Sequence, residues 1–396
     1  MLSTLKTRGW MVGLLLLQCQ AGPAASAWIR VNAPEFELLT NGAAPIAVEA
    51  VAELEGLQSD WHTLARPARQ AEPSQRMLRI VAFSSESEYQ SFRINAFSPA
   101  YFAGGWGQDT IVLGRLAKEN FPTLRHEFVH HLIRTQWQRL PLWLEEGLAD
   151  FHGGVDPAVA QVRADRLRRI GLLPLGELSL VVKSSPSYQN REAALQFYAQ
   201  SWALTNLLMT DPAYRSQAWT LVDRLNQGES LERAVAFVYG RGLPPLEADL
   251  AVHLGRLKST PQPNRTALNT SAPPVAEAEV DEVGLTLAGL LLRKGDTGGA
   301  QRYLDALADS SRTNPELWSL TGDLALKQGR SSDARFALQE ALRLGSRNPR
   351  GLRQLAVLEQ NAPDRSGLEP VLARLVAADP ADDEARRALA VLQAPR

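Results

Sequence analysis

The pattern of apolar and polar positions predicts mixed α/β structure in the first part of the chain. Residues 28–31 and 77–83 are short apolar runs with the branched and aromatic side chains that strands favour, and residues 46–64 between them have helical spacing. A third run, residues 111–113, follows the glycine-rich stretch 103–107. These runs predict strands with a helix between the first two.

Two interpretations of residues 111–113 remain open. The run could form a sheet edge along which an extended peptide pairs by β-augmentation. It could equally be an ordinary sheet strand that follows a hairpin. The pattern alone does not separate them.

A helix is predicted next, around residues 122–133. Pro122 suits a first helical turn, and Leu124, Phe128 and Leu132 recur at i, i+4 and i+8. This helix therefore has one buried apolar stripe.

A second, shorter helix is predicted between Leu140-Pro141 and Gly153-Gly154, because a proline and a glycine pair bound an apolar pattern. Residues 155 to about 257 are then mostly helical by pattern. The chain from 28 to 257 is thus interpreted as one domain, in which a small sheet precedes a helical part.

The first of these helices carries the sequence His126-Glu127-Phe128-Val129-His130. Residues four apart lie on one helical face, so both histidines can bind a single Zn²⁺ while Glu127 faces the open side of the ion. The alternative is a helix whose histidines are only polar neighbours of the core. The motif predicts one zinc ion per chain at a hydrolytic site.

The third ligand is predicted on the second helix, where Glu145 and Glu146 are adjacent. Adjacent helical residues point about 100° apart, so only one can face the metal. Glu146 is preferred because Asp150 lies one turn later on its face, placed to accept the free N–H of a ligating histidine. Gly147 beside it allows two helices to approach closely. Glu145 is the alternative ligand.

The segment 143–150, Trp-Leu-Glu-Glu-Gly-Leu-Ala-Asp, resembles the W-L-x-E-G-x-A signature of the gluzincin zinc metallopeptidases. The resemblance implies a thermolysin-like zincin domain of α+β class, with Glu146 as the third zinc ligand. It also implies Glu127 as general base and Asp150 as the residue that orients a histidine. The short interval from His130 to Glu146 is similar to that of the compact bacterial peptidase MA-like branch.

The resemblance also implies a donor for the developing oxyanion, supplied in that family by a tyrosine or histidine on a downstream helix. Tyr198, within the helical stretch 193–204, is the first candidate, and Tyr188 and His152 follow it. A half-buried packing tyrosine is the alternative interpretation of Tyr198.

The N-terminus has the pattern of a secretory signal peptide. Lys6 and Arg8 precede a short apolar run, and Ala25-Ser26-Ala27 offers a small-residue cleavage site. Cleavage after Ala27 would remove Cys19, the only cysteine, so disulfides and sulfur ligation of zinc are excluded from the mature chain. We expect a secreted or periplasmic protein without a membrane span after cleavage; a retained anchor is the weaker alternative.

Composition is that of a globular protein: 45% apolar and 21% charged residues, with a net charge of −1. The basic residues are scattered among as many acids, so no phosphate-binding face is predicted. We therefore expect peptide or protein partners and no nucleic acid.

Residues 258–280 are rich in Pro, Ser, Thr, Asn and Ala without a periodic apolar pattern, and predict a linker. Residues 281–396 then repeat with a period of 34, as in Gly295 and Gly329, Ala300 and Ala334, and Leu304, Leu338 and Leu372. The middle copy resembles the tetratricopeptide repeat at Trp318, Thr321-Gly322, Ala325, Gly329, Ala334, Leu338 and Ala341. The resemblance implies an all-α solenoid of three repeats, closed by a capping helix from about Asp383.

Two functions follow from these patterns. The first is a zinc peptidase, most simply an endopeptidase, whose repeat groove recruits a partner or substrate; the repeats could instead be only a structural brace. The second is a tetratricopeptide binding scaffold with a vestigial zinc site. Glu127 favours the enzyme, because water activation needs this carboxylate and a vestigial site does not.

Overall fold

The structure is a computed structural model that describes residues 27–64, 77–94, 98–104, 109–137, 139–257, 272–380 and 382–394. Within these ranges the chain is mixed α/β, with a small sheet and a large helical part. The predicted signal segment lies outside the described residues except for Ala27, as do residues 258–271 of the predicted linker. Among the described helices, none combines the length and apolar character needed to cross a membrane.

One sheet of six strands organises the described chain. The strands are β1 (Ile29–Asn32), β2 (Phe36–Thr40), β3 (Leu78–Phe83), β4 (Ala100–Ala103), β5 (Thr110–Arg115) and β6 (Val275–Glu277). Their order is β4-β5-β3-β2-β1-β6. β2, β3 and β5 are parallel, whereas β1 pairs antiparallel with β2 and β6, and β4 pairs antiparallel with β5. The strands predicted at 28–31 and 77–83 are confirmed as β1 and β3.

The interpretation of residues 111–113 as a sheet edge is wrong. They belong to β5, which lies between β3 and β4. β4 occupies the edge, because residues 100–103 pair with residues 110–113 in antiparallel register. The alternative interpretation, an ordinary sheet strand, is therefore confirmed. The short run Ala100–Ala103 carries little sequence signal for a strand, so the pattern did not reveal β4 at this edge.

The helices before β6 confirm the predicted helical regions. They are α1 (Ala44–Leu64), α2 (Glu86–Tyr89), α3 (Phe121–Gln136), α4 (Leu142–Gly153), α5 (Pro157–Ile170), α6 (Leu175–Ser179), α7 (Pro186–Gln189), α8 (Arg191–Thr210), α9 (Ala218–Asn226), α10 (Leu231–Tyr239) and α11 (Leu243–Arg256). Pro122 lies in the first turn of α3, as its fixed φ favours. α4 ends at Gly153 and is capped by Gly154, whose φ of 82° is readily adopted only by glycine.

Both faces of the sheet are buried. Alternate residues such as Leu38, Ile80 and Ile111 pack in the core shared with α1 and α3. Their neighbours Leu39, Val81 and Val112 pack in a second core with helices from the C-terminal part of the chain. Burial on both faces explains why β3 is a nearly continuous apolar run.

The C-terminal part consists of consecutive helices that pack on their neighbours. They are α12 (Val280–Lys294), α13 (Thr297–Leu307), α14 (Pro315–Lys327), α15 (Ser331–Arg343), α16 (Pro349–Gln360), α17 (Leu368–Ala378) and α18 (Asp383–Gln393). α14 and α16 begin 34 residues apart, as do α13 and α15. The predicted period is therefore present in the helices themselves.

The described end of the predicted linker, residues 272–280, is not a structureless connection. Residues 275–277 form β6, paired with β1, and α12 begins at Val280. Arg79 on β3 also forms ion pairs with Glu37, at 2.7 Å, and with Glu282 on α12, at 2.9 Å. The C-terminal helices thus pack directly on the sheet, which differs from the expectation of a linker without regular structure up to residue 280. The cause is the second apolar face of the sheet, which the sequence pattern did not assign to a partner.

Candidate metal centre

Helices α3 and α4 pack closely enough to bring the predicted ligands together. A Cβ atom at Gly153 would lie 2.9 Å from both the backbone N and Cα of His126, so only glycine fits there. The buried Arg125 fixes the same contact, because its Nε donates to the Gly153 carbonyl at 2.7 Å. The end of α4 is therefore held against the turn of α3 that carries the first histidine.

The ligand atoms of the three predicted zinc ligands form a nearly equilateral triangle. The Nε2 atoms of His126 and His130 are 3.2 Å apart, and Glu146 Oε2 lies 3.5 Å from the first and 3.6 Å from the second. Three atoms bound to one tetrahedral ion at about 2.0–2.2 Å are about 3.3–3.6 Å apart. Two imidazole nitrogens and one carboxylate oxygen are also donors that zinc prefers. The triangle thus fits a zinc ion with one coordination position left over.

Within the described ranges, these three residues are the one group of His, Cys, Asp or Glu side chains that converges in this way. Glu145 is not part of the group; it is half-buried and lines the neighbouring cleft. The placement agrees with the choice of Glu146 made from helical geometry.

Asp150 lies behind His126, as expected from its position one turn after Glu146. His126 Nδ1 is 3.0 Å from Asp150 Oδ1, a contact that leaves Nε2 facing the triangle. Arg163 on α5 donates to Asp150 Oδ2 at 2.5 Å. The carboxylate is therefore held between the imidazole and a guanidinium.

The charged groups at this centre stabilise one another's ionised forms. Burial acts to lower the pKa of His126, but the hydrogen bonds of its ring to Asp150 and Glu146 outweigh it and raise the pKa well above the ordinary value. Burial acts to raise the pKa of both carboxyls, yet the histidines hold the pKa of Glu146 low, and Arg163 with His126 holds that of Asp150 low. Two ionised carboxylates thus lie close to the position where a metal cation would compete with a proton for the ligand atoms.

A cleft of about 1620 Å³ opens beside the triangle. His126, Glu127, His130 and Glu146 line one end of it. The half-buried Glu127 therefore has access to any molecule that enters the cleft and reaches the metal position.

The C-terminal helices form the far wall of the same cleft. There the polar groups are paired with one another: Asn348 donates to Glu316 at 3.0 Å, and Arg350 lies 2.9 Å from Asp323. The cleft thus joins the candidate metal centre to the repeat region along one surface.

Tyr198 and Tyr188 both line the cleft and share a hydrogen bond, with 2.6 Å between their hydroxyl oxygens. Burial and the nearby Glu146 carboxylate raise the pKa of both. Either hydroxyl can donate in the shared bond, so one hydroxyl proton of the pair remains for another acceptor.

The structure places His152, the third candidate donor, away from the cleft. Its ring lies 4.9 Å from that of Trp61 and 6.0 Å from that of Trp219, and it is fully enclosed. Burial lowers its pKa to about 4. The suggestion that His152 serves the oxyanion is therefore wrong; its place two residues after Asp150 turns it to the opposite side of α4.

Sequence reasoning missed several residues around the centre. Arg163 had no signal beyond being one of many arginines on α5, and Gly153 was noted only as a helix stop. Arg134, which lines the cleft, could have been found, since it continues the four-residue spacing of His126 and His130 on α3. Lys183 also lines the cleft but lies in a connection without a pattern.

Comparison with known proteins gives a distant structural match. Neither a protein-family model nor a curated protein sequence matches the chain. The structure is similar to that of native yeast LTA4 hydrolase, with a TM-score of 0.34 and 10% sequence identity, over 92% of this chain and 64% of the other. This chain therefore spans less than two thirds of that enzyme's length, and a similarity of this size does not determine its function. The functional conclusion therefore rests on the geometry of the centre.

Proposed function

We propose that the protein is a zinc-dependent hydrolase that cleaves peptide bonds. The observation that carries the proposal is the triangle formed by His126, His130 and Glu146, which opens into a cleft lined by Glu127. When bound there, a zinc ion would polarise a substrate carbonyl and bring the pKa of a water molecule toward about 7.

The chain supplies the remaining groups. Glu127 accepts the proton of the attacking water and delivers it to the leaving amine. Asp150 holds the His126 ring so that Nε2 faces the metal position, and Arg163 holds Asp150. The tyrosine pair offers a hydroxyl proton to the oxygen on which negative charge develops.

We also propose that the catalytic part is a compact gluzincin-type zincin domain. In its favour, Glu146 comes from α4, the helix that follows the one with both histidines, and a small sheet precedes α3. An extended substrate would then lie along β4, the edge strand of the sheet that borders the cleft, since Ala100, Tyr101 and Phe102 line it.

For the C-terminal helices we propose tetratricopeptide repeats that hold a remote part of the substrate or a partner. The 34-residue spacing of the helix starts supports the repeat assignment. Their position on the far wall of the cleft supports a role in binding, although as a fixed wall and not as a separately moving arm.

Export through the signal peptide, with cleavage after Ala27, remains part of the proposal. The charged, apolar and small-residue pattern of residues 1–27 supports it. N-terminal sequencing of protein recovered from outside the cytoplasm tests it; an intact Met1 would contradict cleavage.

The proposed activity is tested with variants that separate metal binding from proton transfer. Glu127→Gln should keep stoichiometric zinc and the fold while hydrolysis of an unstructured peptide falls by about 10²–10⁴-fold. His126→Ala should lose zinc, whereas His62→Ala, at an exposed histidine of α1, should keep it.

Two results would contradict the proposal. Full activity of Glu127→Gln would show that Glu127 is not the general base. A wild-type protein that binds zinc and peptides without cleaving any of them would favour the binding scaffold with a vestigial site.

A further inference from the structure

Six Arg and Lys side chains line the cleft. Arg79 and Arg350 are engaged in ion pairs with Glu37, Glu282 and Asp323, Arg293 donates to the Ala103 carbonyl, and the exposed Arg347 lies between α15 and α16. Arg134 and Lys183 line the end of the cleft that holds the metal centre, and among the described residues neither has a carboxylate within ion-pair distance. Both are exposed, so their charges are available to a molecule that enters the cleft.

Arg134 lies one turn after His130 on α3, so it shares the face that carries the ligand histidines. Its exposed guanidinium lies over the Phe102 ring, 5.6 Å from the centroid, and a Cβ atom on Gly104 would lie 2.6 Å from its Cζ. These contacts place the planar fork beside β4, which lines the cleft.

Lys183 reaches the same end of the cleft from the connection between α6 and α7. Lys183, Arg134 and Glu145, the neighbour of the ligand Glu146, all line this cleft. Two cations from different elements therefore share the cleft with the metal centre. Such a pair is suited to a carboxylate, because guanidinium can bind both of its oxygens and ammonium adds a third donor.

We propose that Arg134 and Lys183 are specificity residues that bind a carboxylate of the peptide substrate next to the scissile bond. The inference rests on the proposed peptidase function. The carboxylate is either an acidic side chain or the free C-terminus of the peptide. The protein accordingly prefers peptides that present one of these groups over neutral or amidated analogues.

The test uses matched fluorogenic peptides of one sequence, with Glu or Gln beside the cleaved bond and with a free or an amidated C-terminus. For the zinc-loaded wild type, kcat/KM should be about 10–100-fold higher with the carboxylate than without it. A preference that persists in the amidated peptides assigns the side chain, and one that disappears assigns the C-terminus.

The variants localise the effect. Arg134→Gln and Lys183→Gln should each reduce the preference several-fold, and the double variant should abolish it while neutral peptides are still cleaved. Arg134→Lys should fall between, since it keeps the charge but loses the fork. Arg169→Gln, at an exposed α5 arginine outside the cleft, makes the same change in net charge and should keep the preference.

Cleavage of all peptides at equal kcat/KM, or an unchanged preference in the double variant, would overturn the inference and leave the peptidase standing. An equal loss in Arg169→Gln would also overturn it, because general attraction would then explain the preference. If the wild type cleaves no peptide with zinc bound, the proposed function fails and the inference fails with it.

Discussion

The two sides of α4 bury polar groups in opposite ways. On the side facing α3, Glu146 and Asp150 are almost fully buried, and each contacts a cation or an imidazole. On the other side, the equally buried His152 lies among aromatic rings, and its Nε2 has no hydrogen-bond partner. Residues 150 and 152 are only two apart, but two helical steps turn the side chain by about 200°.

This contrast shows that the partners of a polar group decide whether burial favours its neutral form. His126 lines the cleft with 21% of its side chain exposed, whereas His152 is enclosed. Carboxylates raise the pKa of the first, whereas burial without such partners lowers the pKa of the second to about 4. The side of α4 that faces α3 therefore favours a bound cation, whereas the opposite side packs against aromatic rings and holds the helix in place.

The largest effect on this arrangement is expected from Gly147→Ala. A Cβ atom there would lie 2.6 Å from the Ser201 carbonyl oxygen and 2.1 Å from Thr205 Oγ1, so α4 must move away from α8. We expect a loss of at least about 3 kcal/mol in the free energy of unfolding, measured by chemical denaturation, and a weakened zinc site.

The controls for Gly147→Ala use the same helices. Thr205→Ala in the same chain should recover only part of the loss, since the Ser201 carbonyl remains in place. Gly176→Ala, at a position in α6 with open space around it, should be neutral or slightly stabilising. A neutral Gly147→Ala would show that α4 does not depend on this close approach.

The second prediction concerns pH and the apolar side of α4. His152 has an ordinary pKa of 6.5 and a folded-state pKa of about 4. Below pH 6.5 the unfolded chain therefore binds a proton that the folded protein excludes, so stability falls as pH drops toward 4. The contribution lost is about 3 kcal/mol.

His152→Phe tests this, because it keeps a ring between Trp61 and Trp219 but cannot titrate. Denaturation midpoints from pH 4 to 7 should depend less on pH in the variant than in the wild type, whatever its absolute stability. An unchanged pH dependence would mean that other groups cause the acid sensitivity.

Sequence alone predicted the parts of the centre that have a helical period. His126, His130 and Glu146 were found because spacing on two helices restricts which side chains face one point. The same reasoning placed Asp150 behind a histidine. The helices themselves were found for the same reason, since their apolar stripes repeat over several turns.

What the sequence did not predict depends on contacts between distant segments. The edge strand β4 is four residues long, and β6 lies at the end of a segment that was interpreted as a linker. Arg163 reaches Asp150 from α5, which packs on α8, the helix that also packs on α4. The apolar surroundings of His152 depend on Trp61 and Trp219, which come from α1 and α9. None of these contacts is indicated by a periodic pattern in the sequence.

The third prediction tests the charged side of α4. Asp150→Asn keeps the shape of the side chain and an oxygen for His126 Nδ1–H, but removes the charge that Arg163 and His126 share. Zinc affinity should fall by about 10–100-fold, because residues behind a metal ligand tune its basicity and orientation. Competition with a chromogenic chelator measures the change.

Asp165→Asn is the matched control, since it removes one negative charge from an exposed position on α5. It should leave zinc affinity unaltered. Equal affinities in the wild type and Asp150→Asn would separate this carboxylate from the metal centre and break the contrast between the two sides of α4.

The smallest effect is expected at Tyr198, which the sequence nominated as the oxyanion donor. If Tyr198 donates to Tyr188, one of the two directions that their 2.6 Å contact allows, Tyr198→Phe removes one neutral hydrogen bond and not the proton offered to the substrate. kcat should then fall only about 3–10-fold, with KM little changed. Tyr188→Phe should lower kcat by more. The reverse order, with Tyr188→Phe harmless and Tyr198→Phe costing about 10²-fold or more, would make Tyr198 the direct donor and Tyr188 its support.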